Sequence, residues 1–311
     1  MNVQQVDYIL AVAELRHFGL AAEKCNITQS TISTMVSRFE EELGLQLFDR
    51  KTKPITITLE GEEVIKQLSI IREELGVLKE KVQELKGEGR GELRIGVIPT
   101  IGPYLLPLFL HDFVQKHPDI QFEVSEITTE QIVQDILNRR LDIGIVSIPL
   151  REPAIREVFL YDEPFLCYDP QKDKQGGTCQ VKDLDYDRLW LLEEGHCMRT
   201  QVEKICAFQE ARRLSRNLDY KSATIHTLIK LVKKSMGMTL LPFLSTIDLT
   251  ARDRSHLYHF ETPIPCRSVG LIAHQYFAKR TLLESLQQHI EGCIATKLPE
   301  VKGPYRAVDP L

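Results

Sequence analysis

Hydrophobic positions frame this chain from its first residues. Val6, Tyr8, Ile9, Val12, Ala13 and Leu15 recur at helical spacing and predict a first helix. After His17-Phe18-Gly19, the run Leu20 to Cys25 predicts a short helix, and a longer one follows through Glu40. Ala21 and Ala22 are small enough to let the helices approach, Ile27 and Ile32 fill their junction, and Thr28 is a natural N-cap. The polar face of that longer helix carries Gln29, Ser30, Thr31, Ser33, Thr34 and Arg38, short or cationic side chains able to reach base edges and phosphates. Residues 47–58 predict a two-stranded wing whose tip holds Arg50, Lys51 and Lys53. A helix-turn-helix with a wing therefore occupies 1–58.

A different period follows. Val64, Leu68, Ile71, Leu75, Leu78, Val82 and Leu85 alternate four- and three-residue steps, which is a heptad seam in a segment otherwise rich in Glu and Lys. That pattern predicts a long dimerising coiled-coil helix over 59–87. Gly87, Gly89 and Gly91 end it in a hinge. Beyond the hinge, apolar strands at 93–97, 143–146, 238–241 and 269–273 alternate with helices near 103–116, 129–139, 197–209, 225–235 and 279–293. This is an α/β regulatory domain over 88–300. The return of a strand and helix after 266 divides it into lobe I, 92–162 with 266–300, and lobe II, 163–265. Residues past Leu298, including 301–311, are expected to form a loose tail.

Composition narrows the setting. The 311 residues are 43% apolar, with no opening signal peptide and no apolar run of membrane-spanning length. Seven irregularly spaced cysteines do not form a secreted disulfide framework, and none has zinc-ligand spacing, so no metal or other cofactor is expected. A cytoplasmic protein fits. Net charge is 39 − 44 = −5, so any nucleic-acid contact must be local. Even within 1–58, Arg16, Lys24, Arg38, Arg50, Lys51 and Lys53 face seven acidic residues, Asp7, Glu14, Glu23, Glu40, Glu41, Glu42 and Asp49. One such domain should hold DNA poorly, and several acting together are expected.

Two cysteines concentrate the chemistry. Past Gly195, Met198, Val202, Ile205 and Cys206 fall on one helical face. An intact helix would hold the Cα atoms of Cys197 and Cys206 about 13.5 Å apart, at ~1.5 Å per residue, whereas a disulfide needs less than about 7 Å. The thiols either stay apart on a helix or join as it unravels. Cys197 follows a glycine break and should lie in the first helical turn, where free amides favour a thiolate; His196 and Arg199 are adjacent, while Glu193 and Glu194 oppose. Two cysteines on an apolar face are, on the other hand, ordinarily small core residues. Of the remaining cysteines, Cys25, Cys167, Cys266 and Cys293 read as packing residues and Cys179 as an exposed loop thiol.

Phe18, Ala21-Ala22, Gln29, Ser33, Glu41-Glu42-Leu43-Gly44, Leu47-Phe48, Arg50, Thr58 and Gly61 together closely resemble the winged helix-turn-helix of LysR-type transcriptional regulators. The resemblance extends to about residue 295. Within that family, the runs 96–107, 162–164, 195–197 and 237–242, with Arg16-His17-Phe18 and Cys25, look like its hydrogen-peroxide-sensing branch. That likeness implies a two-lobed, periplasmic-binding-protein-like regulatory domain. It implies a peroxidatic Cys197 with Cys206 as its partner, and a peroxide pocket of Thr100, Thr129, His196 and Arg267. It further implies promoter DNA, RNA polymerase, thiol reductants and a second copy of the chain (a dimer or tetramer) as partners. Two other readings stay open: a regulator sensing a metabolite between the lobes, with incidental cysteines, and a thiol peroxidase, against which the winged domain argues.

Overall fold

The computed structural model describes residues 2–85, 91–172, 176–193, 197–206, 224–235, 237–299 and 303–311. They divide into two compact units, Met1–Glu88 and Gly89–Leu311.

In the first unit, α1 (Val3–Leu15), α2 (Phe18–Lys24) and α3 (Gln29–Leu43) close over Val6, Ile9, Val12, Ala21, Ala22, Ile32, Val36 and Phe39. Each helix starts where a side chain satisfies free amides. Asn2 and Gln5 form a reciprocal capping box. His17 Nδ1 accepts from the amides of Gly19 at 3.1 Å and Leu20 at 3.2 Å, and Thr28 Oγ1 accepts from Thr31 N at 3.2 Å. Gly44 ends α3 at φ +67, where a side chain would be strained. β1 (Phe48–Asp49) and β2 (Thr56–Ile57) pair antiparallel as the wing.

The turn into that wing hangs on one carboxylate. Glu40 Oε1 accepts from Leu47 N at 2.8 Å and Phe48 N at 3.2 Å, and its Oε2 accepts from Arg50 Nη2 at 2.7 Å. Next comes α4 (Leu59–Leu85), seated so closely that a Cβ on Gly61 would lie 2.4 Å from the Leu47 carbonyl oxygen. Its apolar seam divides rather than facing one partner throughout. Val64, Leu68 and Ile71 pack on the unit's own core, whereas Leu78 and Val82 are 59% and 43% exposed.

The second unit is built on a sheet of nine strands among the described residues. Near one edge, β3 (Gly91–Val97) lies between and parallel to β4 (Ile120–Glu126) and β5 (Ile143–Ile148). Every residue of β5 is buried, as a strand covered on both faces should be. Two long strands, β6 (Ile155–Tyr168) and β10 (Ile264–His274), run antiparallel beside each other and carry the sheet from lobe I into lobe II. There β6 pairs with β8 (Thr239–Pro242) and β9 (Leu257–Phe260), and β9 with the short β7 (Thr178–Cys179). Helices α5 (Gly102–Lys116), α6 (Thr129–Leu137) and α10 (Arg280–Ile294) cover lobe I; α7 (Cys197–Ile205), α8 (Ile225–Ser235) and α9 (Ala251–Arg254) belong to lobe II. One core gathers Leu93 to Tyr161 with Val269 to Ile294, and a second gathers Phe165 to Ile264 with Val308.

Two expectations need correction. The chain end is not a loose tail. Its residues Tyr305–Ala307 form β11, parallel to Ile264–Cys266 of β10, and Val308 is buried in the lobe II core. A strand of three residues carries too short a pattern to read from sequence. Nor is Cys179 an exposed thiol: it is 3% exposed on β7. The Cys179 sulfur beside Cys167, together with burial, holds the Cys167 thiol far above its ordinary range.

The Glu40 anchor predicts a stability effect. Glu40→Ala leaves two buried amides without their acceptor and Arg50 without its carboxylate, and should cost about 2–4 kcal/mol in denaturant unfolding of the first unit. A loss below ~0.5 kcal/mol would show that the wing is held by other contacts.

Candidate functional site

On the first unit, Gln29, Ser30, Thr31 and Arg38 are exposed along α3, and Lys51 and Lys53 are exposed in the wing. Helical spacing sets Ser30, Thr34 and Arg38 in one row and Gln29 with Ser33 in the next. The hydroxyls of Ser30 and Thr31 lie 2.9 and 2.8 Å from Thr28 Oγ1, gathered round the cap. Arg50 differs from the other cations. Besides its ion pair with Glu40, it donates to Ser33 Oγ at 3.3 Å and stacks 5.1 Å from the Phe18 ring centroid. It ties the wing to α3.

In the second unit a buried cation stands where the two long strands cross between lobes. Arg267 of β10 and Glu163 of β6 are register partners, 1% and 0% exposed. Their ion pair measures 2.7 Å. Arg267 also donates to Thr100 Oγ1 at 2.9 Å and to the Thr100 carbonyl oxygen at 3.0 Å. Glu163 Oε1 accepts from Leu244 N at 2.7 Å. One pair thus joins the end of β3 in lobe I, both crossing strands, and the turn after β8 in lobe II. Nearby Tyr104 is pushed up to about 12, chiefly by burial.

Cys197 opens α7 and is 8% exposed. It lines a cavity of about 380 Å³ with Thr129, Glu130, Leu150, Thr200, Pro310 and Leu311, among others. Thr129 Oγ1 is buried there without a hydrogen-bond partner. Thr100 and Arg267 do not line this cavity; they are bonded to each other. His196 lies outside the described residues. Arg199, expected beside the Cys197 thiol, is turned instead to Glu203 at 2.9 Å and the Leu192 carbonyl oxygen at 3.1 Å.

Cys206 follows the last turn of α7. Its thiol is free and pushed up to about 12 by burial. The two sulfurs sit in different interiors: Cys197 belongs to the lobe I core and Cys206 to the lobe II core. Sequence reasoning overlooked Glu163, although the Asp162-Glu163-Pro164 run had stood out without a role. A lone glutamate carries no mark of its buried partner. Among the described residues no cluster could hold a metal ion, and no helix is long and apolar enough to cross a membrane.

Comparison with known proteins places this architecture. Residues 3–62 match the bacterial regulatory helix-turn-helix protein, lysR family, and residues 86–291 match the LysR substrate binding domain. The chain belongs to the LysR family of bacterial transcription regulators, and it is a DNA-binding regulator, not an enzyme. It is 31% identical over 294 residues to the DNA-binding transcriptional dual regulator OxyR of Escherichia coli K12, covering 94% of this chain and 95% of that one. It is 32% identical over 288 residues to a probable hydrogen peroxide-inducible genes activator of Streptomyces viridosporus, with 92% of each covered. Among solved structures, full-length OxyR from Pseudomonas aeruginosa, a cysteine-to-aspartate variant, superposes with a TM-score of 0.68 at 27% identity, covering 94% of this chain and 98% of that one.

Two measurements follow from the buried groups. Glu163→Ala strands the Arg267 charge in the interior and should cost ~3–5 kcal/mol; urea unfolding followed by circular dichroism checks it, and a loss under ~1 kcal/mol would contradict the role assigned to the pair. The thiols of Cys206 and Cys266 are both raised by burial from about 9 to about 12. Their stabilisation is therefore fully present below pH 9 and is lost as pH rises from 9 towards 12. Thermal unfolding temperature should fall across that window, and Cys206→Ala should flatten part of the fall.

Proposed function

We propose that this LysR-family regulator senses hydrogen peroxide through Cys197 and Cys206 and passes the change to promoter DNA. The observation that carries the reading is the placement of the two free thiols. They stand at opposite ends of one nine-residue helix, each in a different core, and Cys197 also opens on a cavity beside the unpartnered Thr129 hydroxyl.

The chemistry balances without any cofactor. The Cys197 thiolate attacks one peroxide oxygen, the O–O bond breaks, and sulfenic acid and hydroxide result. Thr129 and His196 are the proposed donors to the bound peroxide; Thr100 and Arg267, which the likeness assigns to the same pocket, are bonded to each other and do not line the cavity. The Cys206 thiol then displaces the sulfenic hydroxyl, forming the S–S bond and releasing water. Held as it is, Cys206 stays protonated at neutral pH and is a poor nucleophile. It becomes competent once α7 opens and lets it reach water. Thiol reductants reset the pair.

The DNA-facing residues are then Gln29, Ser30, Thr31, Ser33 and Arg38 of α3 with Lys51 and Lys53, Arg50 acting mainly to hold the wing. The exposed Leu78 and Val82 of α4 offer a seam to a second copy, giving a dimer or, by further pairing, a tetramer. Promoter output requires RNA polymerase, and the setting is the cytoplasm. The alternative of a metabolite between the lobes has less support. Arg267, the buried cation there, is already neutralised by Glu163.

The test is promoter response to peroxide in cells carrying the full chain. Cys197→Ser should reduce induction at least tenfold. Cys206→Ser should still give a sulfenic acid at Cys197, trapped by a dimedone mass shift, but no intramolecular disulfide. Undiminished induction in the Cys197→Ser strain would end the peroxide reading and leave a regulator with another signal.

A further inference from the structure

The end of the chain is bonded to the one helix that the proposed switch has to dismantle. β11 runs beside the start of β10, and the strand interaction continues past it where Val308 N donates to the Cys266 carbonyl oxygen at 2.9 Å. Gln201, in the middle of α7 and fully buried, donates from Nε2 to the Val308 carbonyl oxygen at 2.9 Å. One turn on, Lys204 Nζ donates to the carbonyl oxygens of Asp309, at 3.3 Å, and Leu311. Both helix residues lie between Cys197 and Cys206. On the lobe I side, Arg151 Nη2 pairs with Asp309 Oδ2 at 2.6 Å. Finally, Pro310 and Leu311 form part of the wall of the Cys197 cavity.

The contacts from α7 share a direction. They require α7 to be helical: Gln201 and Lys204 reach the segment together because residues three apart lie on one helical face. Forming the Cys197–Cys206 bond demands that the helix unwind, and unwinding withdraws both donors. The segment is itself anchored independently of α7, through β10, Val308 and Arg151. It can therefore resist the change and not merely follow it.

We propose that residues 303–311 act as a strap that staples α7 in its helical, sulfurs-apart form, so that the disulfide forms only as the strap lets go. The strap would set how much oxidant is needed to throw the switch. This inference rests on the peroxide reading above. It adds to that reading a determinant outside the cysteines, one that reaches the wall of the Cys197 cavity only through Pro310 and Leu311.

The experiment uses the reduced full-length protein and two loosened forms. Val308→Asp places a charge in the lobe II core and should free the strap. The milder Arg151→Ala with Asp309→Ala removes its lobe I anchor and protects the test against a folding failure in the first. The first readout is amide hydrogen exchange of 200–205 in the reduced state. Loss of two stapling hydrogen bonds should speed it about tenfold. The second is the glutathione ratio that half-oxidises the Cys197–Cys206 pair, which should shift about tenfold towards easier oxidation, with peroxide-driven disulfide formation faster in step. Unchanged exchange in a folded loosened form would overturn the strap. So would an unchanged glutathione midpoint in a parent protein that does form the disulfide. If the parent forms no disulfide at all, the peroxide reading fails by itself, and the exchange measurement still decides whether the strap staples α7.

Discussion

A single buried ion pair holds the regulatory unit in register. Arg267 and Glu163 face each other on the two strands that pass between lobes, at 1% and 0% exposure. Burying two charges gives little net stability, because desolvation cancels most of their attraction; once buried, though, neither can lose the other cheaply. The further bonds to Thr100 and Leu244 N satisfy what the pair leaves over and bind each lobe to the crossing. The lobes are thereby fixed at one point, and rearrangement elsewhere has to occur around it. The structure meets that constraint by placing Cys197, the cysteine proposed to react, on a separate short helix.

That helix bridges two interiors. With Cys197 in one core and Cys206 in the other, a disulfide has to draw at least one thiol out of its packing. It also opens about five backbone hydrogen bonds, worth ~1 kcal/mol each in net terms. A cost of ~4–5 kcal/mol corresponds to about 100 mV of raised potential, since ~30 mV is about 1.4 kcal/mol for a two-electron couple. Structural disulfides lie below about −300 mV, so an increment of this size moves the pair into the range of cellular thiol reductants. Reversibility and conformational output would then have the same origin, the work of unmaking α7.

Much of this was legible in the chain, and what was not has a physical cause. Helical periodicity, caps and glycine breaks are local signals. The order of α1 to α3, the wing, the long α4 and the start of α7 at Cys197 could all be read from neighbouring residues. Thr28 was recognisable as a cap because its role concerns an amide three residues away. Glu163 and Glu40 were not recognisable, since their partners lie 104 and up to ten residues off and a carboxylate looks the same whether buried or solvated. The strand at Tyr305–Ala307 was missed for a related reason: it exists only because β10 offers it an edge. Cys179 was misplaced because a two-residue strand has no period at all.

The head that touches DNA places a demand on the rest of the molecule. Its six basic residues are outnumbered by acidic ones, and one of them, Arg50, is partly consumed in holding the wing to α3. Each phosphate contact contributes a counterion-release term, so a head with few cations binds weakly and gains most from a linked second head. In such an arrangement affinity depends on whether both heads can reach their half-sites at once, and a misfit of a few ångströms forfeits the gain. A weak head is therefore not a defect in a switchable regulator. In the proposed dimer it makes occupancy answer to the geometry of the pair, so that the proposed rearrangement at α7, worth a few kcal/mol, would be enough to change which promoter contacts are made.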